Sequence, residues 1–233
     1  SLKYYQNCQA FVGNTQGICA YLRKQGVPDA RVHYIPNFID ERPLSHDNEA
    51  QFPKAKRDDE AVLLAAGRLH KNKGFDVLIE ALSLVPSATL WLAGEGPEKA
   101  NLSVLAERLG VLDRLEFLGW QDDLRPYLHR ADVFVCSSRI EPLGNVVLEA
   151  WRHGCPVVAA RAAGPTELIT DEVNGSLCEL EDAAGMAQAI MGLLNSSSQR
   201  QHYAAAGQDA YAAGFSRTQV VARYLQFFDD IKP

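Results

Sequence analysis

Short apolar runs alternate with helical patterns through most of this 233-residue chain. The clearest runs are AVLLAAG, ATLWLAG, ADVFVC and PVVAA, and each is followed by a loop and a helical pattern. Strands that are apolar throughout are buried on both faces, which is typical of a parallel sheet covered by helices. The alternation therefore predicts an α/β fold with a doubly wound, Rossmann-like parallel sheet over residues 61–215.

Composition excludes several classes of partner. The formal charge of −6 argues against bulk attraction to nucleic acid, so no nucleic acid partner is expected. No stretch approaches the roughly 18 apolar residues of a membrane span, and the start SLKYYQ is not typical of a signal peptide. The five cysteines are odd in number and lack CxxC spacing, which predicts reduced thiols in a cytoplasmic protein.

The two ends of the chain differ from its centre. Residues 1–37 carry a β-α-β pattern that is too small to bury a core alone, and they either belong to another domain or form an edge of the next one. Residues 38–60 contain two prolines and many charges, which predicts a linker. Residues 216–233 show an N-cap serine and helical apolar spacing, which predicts an amphipathic helix.

Two carboxylates stand out near the strand ADVFVC. Glu141 lies in the turn after this strand, and Glu149 lies eight residues later inside the apolar helical pattern NVVLEAW. In open parallel sheets, ligands bind in the crevice at the carboxyl ends of the strands. The helix that starts there presents the N–H groups of Leu143, Gly144 and Asn145 to an anion. The stretch thus offers donors for phosphate and acceptors for hydroxyls, and a sugar nucleotide carries both groups.

Two further loops follow apolar strands. The loop GRLHKNKG contains Arg68 and Lys73, and this pair of cations is suited to a diphosphate. The loop AGEGPE contains Gly94 and Gly96, but Lys99 stands where a dinucleotide fingerprint has its third glycine. An NAD domain is therefore not expected.

Each of these features also allows a structural explanation. Glu141 can be an exposed loop acid, and Glu149 can lie on a solvated stripe of its helix or pair with Arg152. The cations of GRLHKNKG can simply be solvated. Trp120, which follows the strand LEFLG, can stack on a nucleobase or pack on an adjacent helix.

The order of the motifs adds a resemblance that favours the functional explanation. The pattern E-x-x-G-x-x-x-x-E-A over residues 141–150, followed by G-x-P-V-V-A, resembles the donor-site signature of retaining family-4 glycosyltransferases, which have the GT-B architecture. The G-R-L turn with a following K-G, the G-x-G-P loop and the I-P-N segment at 35–37 agree with it in the same order. The resemblance covers essentially the whole chain. It implies the nucleotide-sugar-binding half of a GT-B enzyme over 61–215, a remnant of the N-terminal acceptor domain at 1–37, and a final helix at 216–233 that crosses back to that domain.

The resemblance also implies roles for individual residues. A hexose-type sugar would pass from a UDP-, GDP- or ADP-sugar to an unknown acceptor, with its anomeric configuration retained. The implied catalytic residues are Arg68 and Lys73, which would hold the diphosphate, and Glu141, which would bind sugar hydroxyls near the reacting carbon. Glu149 would bind the ribose. The remaining predicted substrate-binding residues are Leu143, Gly144, Asn145, Gly94, Gly96 and Trp120. No cofactor and no obligatory divalent metal are implied.

Two alternatives to a transferase stay open, namely a nucleotide-sugar-binding module without transfer activity and a GT-B sugar-nucleotide epimerase. If the N-terminal acceptor domain is missing, the isolated chain should be inactive. Apolar surface left without that domain should then cause self-association. The full-length enzyme is expected to be cytoplasmic or peripheral to a membrane.

Overall fold

The computed structural model describes residues 7–39, 52 and 60–231. The chain divides into two units, one comprising Ser1–Arg42 and Tyr211–Pro233 and the other Pro43–Ala210. Most of the predicted linker, residues 38–60, lies outside the described residues. The predicted domain boundaries therefore stay predictions.

The smaller unit begins with the predicted β-α-β arrangement. It consists of strand β1 (Phe11–Gly13), helix α1 (Gln16–Lys24) and strand β2 (Val32–Tyr34), and the two strands pair in parallel. The Thr15 hydroxyl accepts a hydrogen bond from the N–H of Ile18 at 3.0 Å, which caps the start of α1. This part of the chain therefore folds as its local pattern predicts.

A six-stranded parallel sheet forms the centre of the larger unit. Its strands are β3 (Ala61–Ala66), β4 (Ala88–Ala93), β5 (Leu115–Gly119), β6 (Val133–Cys136), β7 (Val157–Ala160) and β8 (Ser176–Cys178). Their order is β5-β4-β3-β6-β7-β8, so the chain runs outward from β3 to one edge and then restarts beside β3 at β6. The predicted doubly wound sheet is confirmed. The reversal places the carboxyl ends of β3 and β6 side by side, and this is where open α/β sheets bind ligands.

Helices cover this sheet. They are α2 (Phe75–Ser83), α3 (Lys99–Arg108), α4 (Arg125–Arg130), α5 (Asn145–Arg152), α6 (Ala163–Leu168), α7 (Ala183–Asn195) and α8 (Ser197–Gly214). Every residue of β4, β6 and β7 is buried, which explains why these strands read as continuous apolar runs. Each fully buried Leu or Val side chain contributes about 1.5–3 kcal/mol to folding.

The predicted final helix, α9, spans Arg217–Asp230 in the smaller unit. The Ser216 hydroxyl accepts from the N–H of Gln219, which confirms the predicted N-cap. One side of α9 packs in its unit, but several apolar side chains are exposed, namely Val221, Tyr224, Leu225 and Phe228. Self-association through such a surface stays a prediction. Within residues 7–39, 52 and 60–231, no helix is both long and apolar enough to cross a bilayer.

Candidate functional site

The loops that follow β3 and β6 are fixed against each other at the carboxyl edge of the sheet. The Ser137 hydroxyl donates to the carbonyl of Lys73 at 2.9 Å. Gly74 adopts a left-handed φ of 61°, and a Cβ added there would lie 2.1 Å from the Ser137 carbonyl oxygen. Only glycine therefore allows the two backbones to approach this closely.

This approach brings two predicted site residues into direct contact. The Lys73 Nζ lies 2.6 Å from Oε2 of Glu141. The Glu141 side chain is only 10% exposed, so the alternative of an exposed loop acid is wrong. Its carboxylate also accepts from the Ser138 hydroxyl at 3.5 Å and from the N–H of Gly144 at 3.3 Å. Because a buried carboxylate requires a positive partner, Lys73 compensates its charge.

The start of α5 presents fewer free donors than the sequence predicts. Gly144 is the N-cap in a left-handed conformation, and its N–H is engaged by Glu141. The N–H groups of Leu143 and Asn145 have no acceptor within residues 60–231. The Oδ1 atom of Asn145 is also buried without a partner among the described residues. Two of the three predicted N–H donors thus remain available to an anion.

Glu149 lies one turn further along α5. Burial raises its pKa above the usual range, and the charge of Asp123 raises that pKa further. Asp123 is itself held by Arg125, with a distance of 2.7 Å between Oδ2 and Nη2. Within the described part of the chain, no group donates a hydrogen bond to Glu149 and no cation pairs with it. The alternative of an ion pair with Arg152 is therefore absent from this structure. A largely buried carboxyl without a donor is suited to receive ligand hydroxyls.

Arg68 lies in the loop after β3 and is exposed. Its guanidinium forms no hydrogen bond or ion pair with the described residues. A Cβ added at Gly67 would lie 3.1 Å from the Cε atom of Lys73, so the aliphatic stem of Lys73 passes over Gly67. The two predicted cations therefore differ, because Lys73 is anchored by Glu141 and Arg68 remains free to bind a ligand.

Gly94 and Gly96 are required by backbone packing. A Cβ on Gly94 would lie 1.9 Å from the Gly67 carbonyl oxygen, and one on Gly96 would lie 2.4 Å from that of Leu69. The N–H of Leu69 also donates to the Glu95 carbonyl at 2.8 Å. The glycines thus let the loops after β3 and β4 pair closely. A role for them in ligand binding stays a prediction.

Trp120 follows β5 and is 69% exposed. Its indole N–H donates to Oδ1 of Asp122 at 2.8 Å, which holds the ring at the surface. This exposure disfavours the alternative that the ring packs on an adjacent helix. Stacking on a nucleobase stays a prediction.

Two residues that were not predicted from the sequence, Arg139 and Asp123, influence the site. Arg139 contacts the loop after β3 through its backbone N–H, which donates to the Asn72 carbonyl at 2.9 Å. Asp123 lies close enough to Glu149 to influence its pKa. The only signal for Arg139 is its position just after an apolar strand, where polar side chains gather at the ligand-binding edge. Within the described residues, no group of three or more His, Cys, Asp or Glu is arranged to hold a metal ion.

Comparison with known proteins identifies the family of this unit. Residues 46–210, most of the chain, match the family described as glycosyl transferases group 1. The chain belongs to this family. The group 1 match lies wholly within the larger unit, which carries both Lys73 and Glu141.

Two curated relatives come from one bacterium, Rhizobium meliloti (strain 1021). Both are named lipopolysaccharide core biosynthesis glycosyltransferases. LpsE is 41% identical over 228 residues, which are 97% of this chain and 65% of LpsE. LpsD is 36% identical over 233 residues, which are 98% of this chain and 66% of LpsD. The chain therefore spans just under two-thirds of the length of these relatives.

The solved structures agree on the fold. The crystal structure of HepE from Anabaena in complex with UDP and glucose aligns with a TM-score of 0.84 and 25% sequence identity. The alignment covers 95% of this chain and 63% of HepE. The parallel sheet with flanking helices is thus that of GT-B glycosyltransferases, as predicted from the sequence motifs.

Proposed function

We propose that the larger unit binds the nucleoside diphosphate sugar of a retaining family-4 glycosyltransferase. The parent protein then transfers a hexose-type sugar to an acceptor. The observation that carries this proposal is the contact between Lys73 and Glu141, 2.6 Å apart at the carboxyl ends of β3 and β6. A cation for phosphate and an acceptor for hydroxyls are thereby adjacent, and membership of the group 1 family supports this use of them.

The diphosphate is assigned to Arg68, Lys73 and the N–H groups of Leu143 and Asn145. Negative charge grows on the departing diphosphate as the bond to the sugar breaks. Groups that bind this charge more strongly in the transition state than in the ground state accelerate the step. An ammonium has three N–H donors, so Lys73 can keep its contact with Glu141 while it donates to a phosphate oxygen.

The two glutamates are assigned to different hydroxyls. Glu141 accepts from hydroxyls of the transferred sugar, because its carboxylate lies beside the Lys73 ammonium. Glu149 accepts from the two ribose hydroxyls, since it lies further along α5 and has no donor among the described residues. A carboxylate has two oxygens and therefore matches a pair of neighbouring hydroxyls.

For the donor and acceptor we propose a UDP-hexose and a saccharide of the lipopolysaccharide core class. The donor is supported by HepE, which was crystallised with UDP and glucose. The acceptor is supported by the names of LpsE and LpsD. GDP- and ADP-sugars are the competing donors. We further propose that no divalent metal is required, which predicts equal donor affinity with and without a chelator.

Transfer is assigned to a protein longer than this chain. In GT-B enzymes, closure of two halves excludes water and assembles the site. Because the chain spans 65% of LpsE, we propose that the acceptor is bound by residues outside it. Residues 1–233 alone should bind a donor without measurable turnover.

Titration calorimetry of residues 1–233 tests the donor proposal. The ligands are UDP, GDP, ADP and their glucose conjugates, each with and without EDTA. We expect UDP and UDP-glucose to bind, with affinity roughly 10- to 150-fold weaker but still measurable in Lys73→Met. A chain that binds none of the six ligands contradicts the proposal.

Incubation of the longer protein that contains this chain with UDP-glucose and core saccharide distinguishes a transferase from the two alternatives, an epimerase and a binding module. A glycosylated saccharide with retained configuration indicates a transferase, a converted sugar nucleotide indicates an epimerase, and unchanged donor indicates a binding module.

A further inference from the structure

Arg139 is the centre of an ionic network beside the site. Its Nη1 and Nη2 atoms lie 2.7 and 2.8 Å from the two carboxylate oxygens of Asp76, in the first turn of α2. Its Nε and Nη2 atoms donate to the two carboxylate oxygens of Glu181, which precedes α7. Nη1 also donates to the Lys71 carbonyl at 2.8 Å. One guanidinium therefore connects segments that follow β3, β6 and β8.

Residues 137–140 donate a hydrogen bond to every backbone carbonyl of the turn that carries Lys73. This turn is a 3-10 helix over Lys71–Lys73. The Arg139 side chain holds its first carbonyl, and the N–H groups of Arg139 and Ile140 hold the second, that of Asn72, at 2.9 and 3.1 Å. The Ser137 hydroxyl holds the third. Three consecutive carbonyls are thus fixed by residues 137–140, immediately before Glu141.

The Arg139 side chain fixes a different part of the turn from the other donors of residues 137–140. The backbone N–H contacts and the Ser137 hydroxyl fix the end of the turn, whereas the guanidinium fixes its beginning and connects it to α2. The carboxylates of Asp76 and Glu181 are 45% and 56% exposed, and such ion pairs contribute little to overall stability. The planar guanidinium nevertheless binds two carboxylates and a carbonyl at fixed angles, so it strongly restricts the orientation of these groups relative to one another. The network therefore restricts the position of the turn more than it stabilises the fold.

We propose that Arg139 is a positioning residue for Lys73. It holds the Lys71–Lys73 turn so that the Lys73 ammonium meets Glu141 and the donor diphosphate together. This inference rests on the proposed function, because the benefit of a fixed ammonium is realised only when a diphosphate binds.

The electrostatics agree with a fixed network. Burial alone would raise the pKa of Asp76, but the hydrogen bond and charge of Arg139 outweigh it and lower that pKa below its usual value. Asp76 and Glu181 in turn favour the charged form of Arg139 and raise its pKa. Asp76 and Arg139 therefore stay charged at neutral pH, so their contact persists under the conditions of a binding measurement.

A double-mutant cycle on UDP affinity tests this role. Arg139→Gln should lower UDP affinity about tenfold, a coupling typical of residues in one hydrogen-bond network. In a Lys73→Met background, the same substitution should lower UDP affinity no further. Arg139→Lys keeps the charge but loses the planar guanidinium, so it should lower UDP affinity as Arg139→Gln does. It serves as a second test if Arg139→Gln fails to fold.

Arg114 provides the matched control. Its guanidinium also holds three carbonyls, those of Leu82, Val85 and Ala88, but at the start of β5 on the opposite edge of the sheet. Arg114→Gln should lower the free energy of unfolding and leave UDP affinity unchanged in both backgrounds. If Arg139→Gln lowers affinity equally with and without Lys73, or does not lower it with Lys73 present, the positioning role is refuted.

A measurement without ligand separates this inference from the proposed function. If the unmodified chain binds no UDP, the proposed function fails. The positioning role of Arg139 is then tested by the coupling between Lys73→Met and Glu141→Gln in the free energy of unfolding. That coupling should be present with Arg139 and clearly smaller in Arg139→Gln. Unchanged coupling would show that Lys73 reaches Glu141 without help from Arg139.

Discussion

Lys73 and Glu141 are 68 residues apart in the chain, yet Nζ and Oε2 lie 2.6 Å from each other. They follow β3 and β6, which neighbour each other only because the strand order reverses between them. The ion pair therefore forms when the sheet forms. Lys73 consequently has two tasks, since it compensates a buried carboxylate and is predicted to bind phosphate.

Substitution of the two cations should separate these tasks. Lys73→Ala leaves the Glu141 carboxylate buried and unpaired, so the free energy of unfolding should fall by about 1–3 kcal/mol. Arg68→Ala removes an exposed side chain and should change it by less than about 0.5 kcal/mol. Urea denaturation measures both effects. Equal destabilisation by the two variants would contradict the difference in anchoring.

The same two variants should weaken UDP binding alike. Each loses a hydrogen bond to a charged group, so UDP affinity should fall by about 1.5–3 kcal/mol in calorimetric titration. Lys24→Ala, in helix α1 of the smaller unit, is the control and should bind UDP as the unmodified chain does. Unchanged UDP affinity in both Arg68→Ala and Lys73→Ala would remove the phosphate role.

Glu149→Gln should stabilise the fold while it weakens ligand binding. Gln keeps the shape of the side chain but removes a charge that burial disfavours, so the free energy of unfolding at neutral pH should rise by about 0.5–2 kcal/mol. UDP affinity should fall, because an amide accepts hydroxyl hydrogen bonds more weakly than a carboxylate. Glu107→Gln, on the exposed side of α3, should change neither quantity. A destabilised Glu149→Gln protein would indicate a structural partner for this carboxylate.

The raised pKa of Glu149 also predicts a pH dependence. A carboxyl whose pKa is raised on folding stabilises the folded state fully below its unfolded pKa, near 4.5, and this contribution is lost as pH rises through the folded pKa. The stability gained by Glu149→Gln should therefore grow as pH rises through that window. UDP affinity of the unmodified chain should fall as pH is lowered through the same window. A UDP affinity independent of pH between 4 and 7 (roughly the span in which a raised carboxyl titrates) would contradict ribose binding by the carboxylate.

Two glycines should respond oppositely to the same substitution. In Gly94→Ala, the new methyl would lie 1.9 Å from the Gly67 carbonyl oxygen at a backbone φ of 133°. Strain and overpacking together should lower the free energy of unfolding by about 2–4 kcal/mol. Gly192→Ala adds a methyl inside α7 with no atom within 4 Å and should stabilise the protein by about 0.5–1 kcal/mol. Denaturation midpoints of the two variants that shift in the same direction would contradict this contrast.

Local pattern was sufficient to predict the sheet and its class. Apolar strands such as β4 and β6 are buried over their whole length, so their continuous apolar sequence directly indicates a strand that is covered on both faces. The N-cap at Ser216 is likewise a local feature, and the structure confirms it. Motif order was sufficient to predict a glycosyltransferase of GT-B type, which the match over residues 46–210 to glycosyl transferases group 1 supports. Membership of family 4 and retention of configuration stay proposals.

Contacts between distant loops could not be predicted from local pattern. The requirement for glycine at Gly94 arises from the carbonyl of Gly67, which approaches only after β3 and β4 pair. The network of Arg139 likewise depends on α2 and on the segment before α7, and neither is near it in sequence. The residues proposed to bind the donor were visible as a motif, whereas the contacts of the residue proposed to position Lys73 depend on the tertiary fold.

A crystal structure of this chain with UDP-glucose tests the central claim most directly. We predict the diphosphate between the loop after β3 and the first turn of α5, within hydrogen-bond distance of the Lys73 ammonium and the Arg68 guanidinium. The ribose hydroxyls should lie against Glu149 and the glucose hydroxyls against Glu141. A nucleotide bound elsewhere on the chain, or one whose phosphates contact neither cation, would contradict the account.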